Sequence, residues 1–177
     1  SCHTQNGMFV LGLTKAQLNL DYDYQDQGGG IKNQLEVMAA LGWIPSGVTR
    51  EPNHATRRLP QPKDKTFSLE ERARAYLHVN CAHCHRETGL AGRASFSLVH
   101  WFKNEHTKTL NAPTLVGLPG LAPGEARIIA PGRPEHSEIV RRMATRGPGK
   151  MPLFGSHEID PEGLRLIREW ISSLPKE

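Results

Sequence analysis

The sequence predicts a mainly α-helical chain. Three observations carry that prediction. Apolar residues recur at helical spacing behind N-cap signals, at Ser68-Leu69-Glu70-Glu71 and at Asp160-Pro161. The stretches between those helices are rich in Gly and Pro. The pentapeptide Cys81-Ala82-His83-Cys84-His85 sits at the end of the first of them. With 177 residues, 37% hydrophobic and 23% charged, the chain is long enough for one domain with a real core or for two small ones. No stretch approaches the roughly 20 apolar residues of a membrane span.

Two segments are expected, 1–66 and 67–177. In the first, Thr14-Lys15-Ala16-Gln17 reads as a capping box, and Tyr22 to Gly30 as a polar loop. Leu35, Met38 and Leu41 lie at helical spacing, and Gly42 can stop that helix. Pro45-Ser46-Gly47 through Pro60-Gln61-Pro62-Lys63-Asp64 reads as a linker or surface-hugging loop. In the second segment, Ser68 caps a helix whose stripe is Leu69, Ala73, Tyr76 and Leu77. Gly89 to Gly132 reads mainly as loops. Pro134 can start a helix with Ile139, Val140 and Met143 on one face, ended by Gly147-Pro148-Gly149. Asp160-Pro161 opens the last helix, with Leu164, Ile167, Trp170 or Ile171, and Leu174 as its stripe.

Cys-x-x-Cys-His is the attachment signature of c-type haem. Two thiols add across the two vinyl groups of one porphyrin, and the next imidazole reaches the iron. Positions i, i+3 and i+4 share a helix face, so Cys81 and Cys84 point one way and His85 rises under the macrocycle. A dithiol redox pair would want a βαβ context, which the sequence lacks. A structural zinc site would want a second ligand pair, and the only other cysteine is Cys2, beside a single His. The pentapeptide therefore predicts covalent haem, with His85 on the iron and the helical domain packed around the group.

Gly149-Lys150-Met151-Pro152 lies in a loop between two predicted helices, and the Met151 thioether is read as the sixth ligand. Met plus His coordination raises the reduction potential and leaves no easy site for oxygen. The alternatives are Met143, which its apolar stripe marks as core, and His157, which reads as exposed. His78 and His83 read as surface or packing residues, and His100, His106 and His136 show no partner pattern. Arg127, Arg133 and Lys150 are candidate partners for the haem propionates, against the reading of ordinary surface charge. Tyr76 and Trp170 can serve both the core and the haem edge.

The chain opens Ser1-Cys2-His3-Thr4. Cys-His is the second half of a haem motif, and the first Cys would fall two residues before Ser1. The other reading is a chance dipeptide and a free thiol. Resemblance bears on the choice. "YLHVNCAHCHRETG" at 76–89, "ARIIAPGRPEHSEIVRRM" at 126–143 and "MPLFGSHEIDPEGLRLIREWI" at 151–171 resemble bacterial periplasmic c-type cytochromes. They look like the class I cytochrome c domain at the C-terminus of a diheme family. "SCHTQNGMFVLGLTKAQLNLDY" and "NQLEVMAALG" resemble the region before that domain. The resemblance spans most of the chain, with firmer motifs in the C-terminal part. It implies a second haem, with Cys2 as a thioether and His3 as proximal ligand. Met8, Met38 and His54 are candidates for its sixth ligand. The departure is the first Cys of that motif, which is not in the sequence: the motif is completed upstream, or the haem hangs by one thioether, or it is absent.

The net charge is +4 with pI near 9.1, which fits a basic docking face or an ordinary solvated surface with mixed charges. With 6% aromatic residues and no long Lys/Arg run, nucleic-acid binding is not expected. Haem is attached outside the cytoplasm, so a periplasmic location is expected, with a signal removed or lying upstream. The expected function is electron transfer between redox partner proteins, or within a larger complex. A diheme peroxidase-like enzyme needs an open iron site, which the N-terminal haem would have to supply. An electron-relay domain for a dehydrogenase is a third reading; the chain has no nucleotide-binding glycine motif of its own. A gas sensor would need five-coordinate reduced iron, against Met151.

Overall fold

The computed structural model describes residues 12–50, 57–87, 89–91, 95–115 and 117–176. Over them the protein is mainly helical with one two-stranded sheet. The chain divides into two compact units at Leu59/Pro60.

In the first unit, Thr14 caps α1 (Lys15–Leu18) with the expected box: its side chain accepts from the Gln17 N–H, and Gln17 Oε1 accepts from the Thr14 N–H at 2.8 Å. The stretch read as a polar loop is a hairpin instead. β1 (Asp21–Asp23) pairs antiparallel with β2 (Ile31–Asn33), Tyr22 facing Lys32, around a 3-10 turn at Gln25–Gln27. Three-residue polar strands that face solvent carry no apolar alternation, so sequence periodicity cannot mark them. Asn33 then caps α2 (Gln34–Ala40), accepting from the Leu35 N–H at 3.0 Å while its amide donates to Asn19 Oδ1 at 3.0 Å. Leu35 is buried, but Leu41 at the end of the expected stripe is 56% exposed. The described core of this unit is thin: Ala16, Leu35, Val48 and Leu59.

In the second unit, Arg72 donates to the Pro62 carbonyl at 2.9 Å and Lys63 pairs with Glu162 at 2.9 Å. Ser68 and Glu71 form the predicted capping box of α3 (Leu69–Cys81). A single turn, α4 (Asn104–Thr107), interrupts the expected loops. A 3-10 turn at Pro134–His136 leads into α5 (Glu138–Met143), and α6 (Pro161–Ser173) closes the chain. The loops are not loose. Asn111 N–H bonds the Ile129 carbonyl at 2.9 Å, and Ile128 N–H that of Ala112 at 2.8 Å. The core gathers Ala73 and Leu77 of α3, Val140 and Met143 of α5, and Leu166, Ile167, Trp170 and Ile171 of α6. Both Trp170 and Ile171 are buried, and Leu166, absent from the predicted stripe, joins them.

The crossing of α3 and α6 is close at one point. A Cβ on Gly163 would collide with the Tyr76 ring and hydroxyl. Tyr76 cannot swing aside cheaply, since its hydroxyl donates to Asp160 Oδ2 at 2.9 Å. The other oxygen of that carboxylate caps α6 through the Glu162 and Gly163 N–H groups. Gly163→Ala should therefore cost about 1–3 kcal/mol, the usual cost of overpacking. In a domain of this size that lowers Tm by roughly 3–5 °C per kcal/mol. An unchanged melting curve would show that the helices separate freely.

His78 packs its ring on Trp101, with centroids 4.7 Å apart. Burial pushes it down to about 4 from 6.5, helped by the charges of His100 and Arg86. The unfolded chain thus takes up this proton first as pH falls. The stabilising contribution is whole above about 6.5 and lost by about 4. Denaturant melts at pH 7.5 and 4.5 should show lower stability at acid pH, with a smaller loss in His78→Phe. An equal loss in the variant would rule out His78 as a source.

Candidate functional site

The pentapeptide begins where α3 ends, and its backbone keeps winding. The N–H groups of Cys84 and His85 both donate to the Cys81 carbonyl, at 3.1 and 2.9 Å. Cys81, Cys84 and His85 therefore share one helical turn. Gly89 lies against that turn, where any Cβ would collide with the Cys84 carbonyl. The chain then returns to His85: its carbonyl accepts from the Leu98 N–H at 2.9 Å, and its ring stacks on Phe96 at 4.7 Å with 9° between planes. Burial pushes the His85 ring down to about 4, with smaller effects from His83 and Arg142. The imidazole is neutral at pH 7, and its Nδ1 is buried without a hydrogen-bond partner.

No disulfide joins Cys81 and Cys84. Burial, and then the Cys84 charge, push the Cys81 thiol up to about 12. A dithiol redox centre needs the opposite shift, toward a stable thiolate.

Met151 is held from α5. Its N–H donates to the Arg142 carbonyl at 3.1 Å, and the Arg142 guanidinium donates to the Gly149 carbonyl at 3.0 Å. Lys150 Nζ donates to the Ser156 carbonyl at 2.8 Å. A cavity of about 250 Å³ lies here, lined by Tyr76, Asn80 and Cys81 of α3, Met143 of α5, and Arg146, Met151 and parts of the stretch after it, including His157, Glu158 and Asp160. Cys81 and Met151, far apart in the chain, thus meet on one cavity. Cys84 and His85 do not line it. Met143 is 8% exposed and belongs to the core as expected, yet it also reaches the cavity wall. His157 is exposed at the same cavity.

Of the three cations weighed for propionates, none lines the cavity. Arg127 bonds the Gly124 and Ala126 carbonyls, Lys150 is spent on Ser156, and Arg133 is exposed. The cavity's arginine is Arg146, which sequence reasoning missed; only its place five residues before Met151 pointed to it. Its Nε is buried without a partner. Tyr76 is on the cavity, whereas Trp170 is in the core, its indole N–H buried and unpartnered. Cys2, His3, Met8 and His54 lie outside the described residues, and Met38 is half-buried on α2.

Among the described residues, no group of three or more His, Cys, Asp or Glu side chains could hold a metal ion. No described helix is long and apolar enough to cross a membrane. No family model, curated protein or solved structure matches this chain.

Proposed function

We propose that residues 67–177 form a class I c-type cytochrome domain, and that the protein carries single electrons between redox partner proteins outside the cytoplasm. The observation that supports this most is the meeting of Cys81 and Met151 on one cavity, with His85 one turn from Cys81. The buried, unpartnered Nδ1 of His85 adds a polar atom for which the packing of the chain alone has no use.

Bound haem supplies a one-electron couple at its iron. Cys81 and Cys84 are its tethers, as thioethers. His85 would offer the iron an imidazole nitrogen and Met151 a thioether, a ligand pair that favours electron transfer over oxygen or peroxide chemistry. Arg146 is the cation on the cavity wall, its two Nη groups donating to the Thr145 and Met143 carbonyls and its Nε without a partner among the described residues. At about 250 Å³ the cavity lies just below the ~300–1,000 Å³ of ordinary ligand pockets. The Met151 loop borders this cavity. That loop carries exposed apolar surface, Leu153 at 54% and Phe154 at 68%. The same reading gives the N-terminal segment a second haem on Cys2 and His3, which makes the protein diheme.

The test is intact mass under denaturing conditions, on protein produced with c-type haem maturation. One covalent haem supports the C-terminal site and two support the diheme form. No covalent haem overturns the reading.

A further inference from the structure

Met151 does not hold its own place. Glu138 opens α5 with its side chain 6% exposed, and its N–H donates to the Arg127 carbonyl at 2.8 Å. One turn later, Arg142 Nε lies 2.6 Å from Glu138 Oε1, and Arg141 Nε lies 3.7 Å from Oε2. Neither carboxylate oxygen has a hydrogen-bond partner among the described residues, so the hold on Arg142 is the attraction between a buried negative charge and two nearby guanidinium groups. Arg142 then spans to the next loop by two routes: its guanidinium takes the Gly149 carbonyl, and its own carbonyl takes the Met151 N–H. Gly149 has φ +84°, and both guanidinium groups approach it: a Cβ there would meet Arg142 Nη1 at 3.7 Å and Arg141 Nη2 at 3.9 Å. Glu138, Arg142, Gly149 and Met151 form one chain of contacts from a buried helix start to the ligand loop.

We infer that Glu138 and Arg142 are positioning residues for Met151: the ion pair fixes the Arg142 guanidinium, and Arg142 clamps the loop on both sides of Lys150. This rests on Met151 serving as an iron ligand. The clamp sets the closed fraction of the loop. A guanidinium suits this role because it can face a carboxylate and a carbonyl at once.

The experiment titrates the haem-loaded, oxidised protein with imidazole, which competes with Met151 for the iron, and follows the thioether–iron absorption. Apparent imidazole affinity scales with the open fraction of the loop. Arg142→Gln should raise that affinity about tenfold, Arg142→Lys by less, and Glu138→Gln in the same direction as Arg142→Gln. Hydrogen exchange at the Met151 amide should quicken in parallel. Glu138→Gln is buried and can fail to fold; Arg142→Gln, with a side chain 25% exposed, carries the test alone in that event. Unchanged imidazole affinity and unchanged exchange in Arg142→Gln, in a protein whose wild type shows thioether ligation, overturn the inference. A wild type with covalent haem but no thioether signal instead overturns Met151 as ligand.

Discussion

Replacing both Cys81 and Cys84 with Ala is expected to remove covalent haem from the C-terminal unit completely. A thioether needs a sulfur nucleophile, and these are the two that the end of α3 presents on one turn. Each single substitution should leave one attachment. The fold has reason to survive the change, since Cys81 is only partly buried at the margin of the core and Cys→Ala removes little volume. Neutral His85 stays on Phe96, so weak non-covalent binding can persist. Denaturing mass spectrometry separates the two modes. The double variant should lose one haem relative to wild type: from one to none, or from two to one where Cys2 also carries a haem. An unchanged mass would refute the attachment site.

Met151→Ala is expected to leave the haem attached and change its chemistry. Thioether ligation raises the potential, and axial ligands span about 0.8 V across haem proteins. A fall on the order of 0.1 V or more is expected, with carbon monoxide now binding the reduced iron. The loop should keep its anchor, because the contact to the Arg142 carbonyl comes from the backbone N–H at position 151. Loss of the sulfur is thereby separated from collapse of the loop. Met143 is the control, as it touches the same cavity. Met143→Ala should cost about 2–5 kcal/mol as a buried truncation and leave the potential close to wild type. A potential that tracks Met143 rather than Met151 would exchange the two assignments.

Much of the helical plan was legible in the sequence because it rests on short-range chemistry. Thr14, Ser68 and Asp160 cap the helices they were expected to cap, since a side-chain oxygen two or three residues before an orphan N–H acts within one turn. The stripes of α3 and α6 were readable for the same reason, apart from Leu166, which is also buried in the core. The hairpin at Asp21–Asp23 and Ile31–Asn33 was not readable, because exposed polar strands pair through backbone groups that every residue has. The compact units divide at Leu59/Pro60; Pro62 accepts from Arg72 ten residues on, a contact that spacing alone does not reveal.

The candidate site divides along the same line. The sequence by itself determined the turn that carries Cys81, Cys84 and His85, because spacing i, i+3, i+4 is a local property of a helix. It also singled out Met151, by type and by its place in a loop. Only the tertiary structure decided what stands beside Met151. Arg146 rather than Arg127, Arg133 or Lys150 reaches the cavity, and Glu138 and Arg142 hold the loop. Each of Arg127, Arg142 and Arg146 donates to backbone carbonyls, so what differs is which carbonyls lie within reach of each side chain. That is settled by packing among α3, α5 and α6, and no single segment contains the information.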